Sequence, residues 1–203
     1  MKKIISVGLV LLGGLLLHWP SVFANEGSIA FVGARIIDGT DAAPLEDGVI
    51  VITDGRIRTV GPRSAVTLPA GTQQIDVSGK TIIPGLINAH GHVGGTLGLE
   101  GGHYNTENLE RQLSLYARYG VTTVNSLGGD EAQGFQLRDS QYSADLERAR
   151  ILVSGSVVVG NNEAAVRSAV NSNADMGANF IKVRVDDNLG NTSKMPQNLL
   201  EAL

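Results

Sequence analysis

Between residues 28 and 77, short apolar runs alternate with polar punctuation. Residues 29–37 are closed by Asp38-Gly39, residues 48–53 by Asp54-Gly55, and residues 56–60 by Gly61-Pro62. β-Branched residues bounded by Asp-Gly and Gly-Pro steps are the signature of strands joined by tight turns. A further strand is expected at residues 74–77, and the whole segment reads as a small antiparallel β-unit with no long helix.

The pattern changes at Thr81. Residues 82–89 form a nearly continuous apolar run, as expected of a strand buried on both faces. Leu109, Leu113, Tyr116 and Ala117 then recur at helical spacing within residues 107–119. A second buried strand is predicted at 120–126, a short helix at 143–150 and a third strand at 151–159. A strong helix follows at 163–176, ending at Gly177, then a fourth strand at 180–185 and the start of a helix at 196–203. Strands alternating with helices indicate parallel βα units. Four such strands fit either an open α/β sheet or half of a closed eight-stranded barrel, which needs roughly 250 residues.

The N-terminus adds a separate feature. Lys2 and Lys3 precede an uncharged apolar stretch over residues 4–17, and Val22-Phe23-Ala24 offers a cleavage site. The apolar run is shorter than the ~20 residues a membrane span requires. Residues 1–24 are therefore expected to be a cleaved signal peptide, with a periplasmic or secreted product and no stable membrane insertion. The 203 residues contain no cysteine, which excludes a lipoprotein anchor, a disulfide framework and a thiol nucleophile. Removing Lys2 and Lys3 from 16 basic residues leaves 14 against 20 acidic ones, a balance of −6. With no basic run, nucleic acid is not an expected partner.

The chemistry-bearing residues are His90-Gly91-His92, at the end of the first buried strand. Residues i and i+2 of a strand project to one face, so two imidazoles converge with only a glycine between them. This suits a divalent cation held through nitrogen at ~2.0–2.1 Å. The spacing alone is equally that of two partly buried structural histidines. No Gly-x-Ser-x-Gly elbow, phosphate-binding loop or dinucleotide fingerprint offers a competing site.

Residues 81–93, Thr-Ile-Ile-Pro-Gly-Leu-Ile-Asn-Ala-His-Gly-His-Val, closely resemble the opening barrel strand of the amidohydrolase superfamily. The Asp38-Gly39 and Asp54-Gly55-Arg56-Ile57 hairpins resemble its N-terminal β-sandwich, and Gly120-Val-Thr-Thr-Val124 its second barrel strand. The segment Gly177-Ala-Asn-Phe-Ile-Lys-Val183 resembles the fourth strand of the imidazolonepropionase- and prolidase-like members. The resemblance covers nearly the whole chain from Ser28 onward. It implies an α/β fold: a small β-sandwich portion over residues 25–83, then about four βα units over 84–203, the first half of a (β/α)8 TIM-type barrel. It also implies a metal centre, with zinc as the expected ion, ligated by His90, His92 and Lys182. In two-metal members that lysine is carbamylated and bridges the ions, consistent with the ability of a buried neutral amine to capture carbon dioxide. By itself Lys182 is equally an ordinary lysine with a packed stem.

The family's activity is hydrolysis of carbon–nitrogen bonds in amides, peptides or cyclic amides by metal-activated water. Its two further histidine ligands and its general-base aspartate come from later strands, expected beyond Leu203. No catalytic base is therefore expected within this chain, which reads as an N-terminal fragment, inactive and poorly folded in isolation. A naturally short, non-catalytic binding module, in one variant completed by homo-oligomerisation, is the alternative. The expected substrate is a small molecule or short peptide. His103 lies in a Gly-rich loop where barrel enzymes place substrate contacts, although a solvated loop histidine fits as well. Asn125 and Ser126 end the second strand and serve either a site or a turn. Asp186 and Asp187 read as a solvated acidic turn, and Glu107, Glu110 and Arg111 as a charged helix face.

Overall fold

The computed structural model describes residues 27–191, 194–201 and 203, so the expected signal peptide lies outside the described residues. Two sheets organise the chain. The first contains β1 (Ile29–Ile36), β2 (Leu45–Thr53), β3 (Arg56–Pro62), β4 (Gln73–Asp76) and β5 (Thr81–Ile82). Its order is β3-β2-β1-β4, with β5 also pairing β1. The β2–β3 turn carries Asp54 and Gly55 at φ 53° and 65°. Two consecutive left-handed residues are what a tight hairpin turn demands, and Asp-Gly supplies them cheaply. The sheet is mixed rather than antiparallel: β4 and β5 run parallel to β1. Residues 63–72 provide the return connection that a parallel partner requires, a topology that strand patterning does not reveal.

Alternation in β1 and β2 builds two apolar clusters. Ala30, Val32, Val49 and Val51 pack with Val66 and Leu68, and Ala34, Ile36 and Ile50 pack with Leu45 and Ile82. Full burial of each of the larger side chains contributes about 1.5–3 kcal/mol.

The second sheet is parallel, in the order β10-β9-β6, with β6 (Leu86–Gly91), β9 (Val121–Ser126) and β10 (Arg150–Val153). A small hairpin of β7 (Thr96–Leu97) and β8 (Glu100–Gly101) follows β6. The helices are α1 (Thr106–Arg118), α2 (Ala132–Asp139), α3 (Glu163–Asp175) and α4 (Gln197–Leu200). Asn105 caps α1 by accepting from the Asn108 amide, and Asn162 caps α3 by accepting from the Ala165 amide, each at 2.9 Å. One face of the sheet packs on α1 and α2 through Val93, Leu109, Leu113, Val124, Phe135, Leu137, Ile151 and Val153.

Four expectations need correction. The strand at 82–89 is not buried on both faces: β5 and β6 are separate elements, and Leu86 and Ile87 are 54% and 66% exposed. Within the described residues β6 is an edge strand, with one face uncovered. The helix expected at 143–150 is absent. Its polar groups serve neighbouring carbonyls instead, Arg148 donating to Leu137 O at 2.9 Å and the Ala149 amide to Leu113 O at 3.1 Å. The helix is α2, whose buried residues Phe135 and Leu137 sit two apart and give no helical stripe.

The third and fourth strands are also shorter than expected. β10 stops at Val153, and residues 180–185 contribute a single parallel bridge, Val158 to Val183. The outer edge of β10 is satisfied by side chains: the Ile151 amide donates to Gln141 Oε1 at 2.8 Å and the Val153 amide to Asn179 Oδ1 at 3.0 Å. These contacts blunt the edge against further pairing. The helix expected at 196–203 is the short α4, with Pro196 at its cap.

Candidate metal centre

His90 and His92 leave the C-terminal end of β6 on the open face of the parallel sheet, and both are exposed. Close approach of β6 to β9 fixes them. A Cβ on Gly85 would lie 2.1 Å from Thr122 Oγ1, and one on Gly91 would lie 2.7 Å from Val124 Cγ1. Only glycine at these positions lets β6 lie against β9 in this register. The backbone continues the clamp, with the Leu127 amide donating to Gly91 O at 2.9 Å. Asn88 Oδ1 accepts from the His90 amide at 3.1 Å.

The two imidazole centroids are 5.5 Å apart with planes inclined by 55°. Lys182, 92 residues further on and half-buried, brings Nζ to 3.5 Å from His90 Nε2. Two nitrogens at ~2.0–2.1 Å from one tetrahedral ion sit about 3.4 Å apart, and two imidazoles so bound have centroids about 5 Å apart. The Lys182–His90 and His90–His92 separations are of that size. Among the described residues no group of three or more His, Cys, Asp and Glu converges to hold a metal.

His92 and Lys182 line one cavity of about 690 Å³, together with Leu127, Val157, Arg184 and Lys194 among others. Gly128, at φ +105°, lets the β9–α2 loop pass Val157 and the Lys182 stem. His103 lies outside that lining; it is 3.7 Å from Glu100, three residues earlier, and its carbonyl accepts from Asn108 Nδ2 at 3.2 Å. Asp186 lines the cavity and accepts from the Asn188 amide at 2.9 Å, which is a turn as expected. Arg184 and Lys194 were not singled out by sequence; the i, i+2 spacing of Lys182 and Arg184 was the available signal.

Behind the sheet, at the other face, lies a buried polar cluster. Asp130 is 4% exposed, and its Oδ2 accepts from the Ser154 amide at 2.8 Å. Its Oδ1, the Ser126 hydroxyl and the Tyr104 hydroxyl are buried with no hydrogen-bond partner. Burial pushes the Asp130 carboxyl above the ordinary carboxylate range, against the lowering effect of Ser126 and the Ser154 amide. Burial also raises the Tyr104 hydroxyl, with the Asp130 charge adding to it. Ser126 therefore belongs to this cluster rather than to the metal face, whereas Asn125 Oδ1 is buried without a partner.

No family model matches the chain. It is 38% identical over 66 residues to 5-methylthioadenosine/S-adenosylhomocysteine deaminase of Symbiobacterium thermophilum, a match covering 32% of this chain and 15% of that protein. It is 39% identical over 64 residues to imidazolonepropionase of Methylobacterium sp., covering 30% and 16%. A crystal structure of a candidate prolidase from Bifidobacterium longum superposes with a TM-score of 0.67 at 28% identity, covering 79% of this chain and 41% of that one. Further solved chains, among them a Xaa-Pro dipeptidase, share the fold at 17–23% identity and TM-scores of 0.67–0.72. The chain spans about half the length of these structures.

Proposed function

The chain belongs to the amidohydrolase superfamily, and we propose that His90, His92 and Lys182 are the first ligands of a metal centre serving carbon–nitrogen bond hydrolysis. The observation that carries this proposal is the 3.5 Å approach of Lys182 Nζ to His90 Nε2 across 92 residues of chain. A contact between such distant residues, beside a second histidine that shares a cavity with the lysine, is what a ligand set requires. A bound divalent ion, for which zinc is our choice, would supply Lewis-acid polarisation and lower the pKa of water there. His90 and His92 contribute two imidazole nitrogens from one strand end. Gly91 keeps that strand end pressed on β9. Lys182 would contribute either its neutral amine or, after adding carbon dioxide, a carbamate oxygen.

Around this centre we further propose the organisation that the motifs imply. Residues 1–24 direct export, residues 25–83 form part of a β-sandwich, and residues 84–203 form the opening part of a (β/α)8 barrel. The substrate is a small molecule or short peptide.

Zinc stoichiometry tests the ligand assignment. The purified chain, dialysed against zinc and then against metal-free buffer, is expected to retain about one equivalent or more by mass spectrometry. The double substitution His90→Asn with His92→Asn is expected to abolish retention, and Lys182→Met to reduce it. Equal zinc in the parent and the double variant would overturn the assignment.

A further inference from the structure

The cavity beside the candidate metal centre is positively lined in an acidic protein. The whole chain carries a formal charge of −4. Yet Lys182, Arg184 and Lys194 line this cavity against the single carboxylate of Asp186, three cations less one anion. Lys182 and Arg184, at i and i+2, share the cavity side of the segment that Val183 tethers to Val158. That tether is firm: the Val158 amide donates to Lys182 O at 2.7 Å and the Arg184 amide to Val158 O at 3.2 Å.

None of the three cations has a carboxylate within ion-pair distance among the described residues. The ion pairs there involve Arg35, Arg58, Arg63, His103, Arg138 and Arg167. Asp186, the nearest acid in sequence, accepts from the Asn188 amide instead. A half-buried guanidinium without a partner, fixed by backbone bonds on both sides of residue 183, is a preorganised anion receptor. Its planar fork matches the two oxygens of a carboxylate, and Lys194 adds a mobile point charge.

We propose that this cavity binds the carboxylate of an amide substrate, with Arg184 as the principal contact and Lys194 as the second. The inference deepens the metal-centre proposal, because it places a cationic anchor for an anionic substrate group beside the nitrogen ligands. It assigns a substrate class: amides that carry a free carboxylate near the carbon–nitrogen bond. Arg184 and Lys194 remain cationic even where Lys182 serves the metal.

The test uses matched probes on the purified chain, stripped of metal with a chelating resin and held in chelator-free buffer at low salt, read by isothermal titration. N-acetyl-L-alanine is expected to bind saturably and about tenfold more tightly than its neutral methylamide, with affinity falling as salt is added. Arg184→Gln is expected to weaken the acid by about tenfold and leave the amide unchanged; Lys194→Gln, at an exposed position, weakens it less. Far-UV circular dichroism melts establish that both variants remain folded. Absence of saturable acid binding, equal affinity for acid and amide, or an unchanged Arg184→Gln affinity would overturn the proposal. Inorganic phosphate binding more tightly than the acid would overturn the carboxylate assignment. Because no metal is present, these outcomes are independent of the zinc result.

Discussion

Gly91 stands between the two candidate ligands, and Gly91→Ala measures how tightly packing sets their position. The added Cβ would lie 2.7 Å from Val124 Cγ1, 3.1 Å from Asn88 Nδ2 and 3.5 Å from Asn125 O. Nonbonded carbons rest at about 3.5–4.0 Å, so the first contact is short by roughly 1 Å. Val124 cannot yield easily. It is fully buried, its β-branched side chain is stiff, and its strand is held on both sides by β6 and β10. Relief must come from β6 moving outward, which strains the Leu127 amide bond to Gly91 O. Overpacking of this kind costs about 1–3 kcal/mol. At about 2–4 °C per kcal/mol for a protein of this size, the melting midpoint falls by several degrees.

Urea unfolding followed by far-UV circular dichroism gives the cost directly, and a double-mutant cycle identifies its cause. Val124→Ala alone should destabilise by about 2 kcal/mol through lost burial and a residual cavity. In the double variant the new methyl group occupies that space. The combined loss should therefore be smaller than the sum by roughly 0.5–3 kcal/mol. A Gly91→Ala variant within about 0.5 kcal/mol of the parent, or strict additivity in the cycle, would refute the steric argument.

Two further substitutions address the buried polar groups. The folded-state carboxyl of Asp130 is raised above its unfolded value of 3.8. Its favourable contribution is thus complete below that value and is lost as pH rises through the raised folded value. Relative to Asp130→Asn, the parent should lose stability as pH increases across that window. A pH-independent difference between their urea midpoints, or one of opposite sign, would refute the assignment. Gln141→Leu removes the acceptor of the buried Ile151 amide and should cost about 1–3 kcal/mol, because an amide is left without a partner. Urea unfolding reads that cost, and an unchanged midpoint would show that another acceptor replaces Gln141.

Elements governed by local chemistry were legible in the sequence. The β1–β3 hairpins follow from alternating β-branched residues and the Asp54-Gly55 turn. The helices α1 and α3 follow from helical periodicity, with Asn105 and Asn162 as their caps. His90 and His92 were identifiable because strand geometry alone sends i and i+2 to one side. Other features depended on partners remote in sequence. Whether a run such as residues 82–89 is buried is set by what covers it, and residues 180–185 are held to a bridge because Gln141 and Asn179 already occupy the β10 edge. The helix α2 has no apolar periodicity to announce it, since its contacts come from the sheet and α1.

The sequence by itself determined the local vocabulary of turns, caps and strand ends, including the pair of imidazoles. The family resemblance already grouped Lys182 with the two histidines, and the tertiary structure gave that grouping its 3.5 Å approach, set Arg184 and Lys194 around one cavity with Lys182, and buried Asp130 behind the sheet. Those meetings join residues tens of positions apart, and local periodicity carries no information about such distances. They depend on strand order and register, which are set by whole-sheet packing.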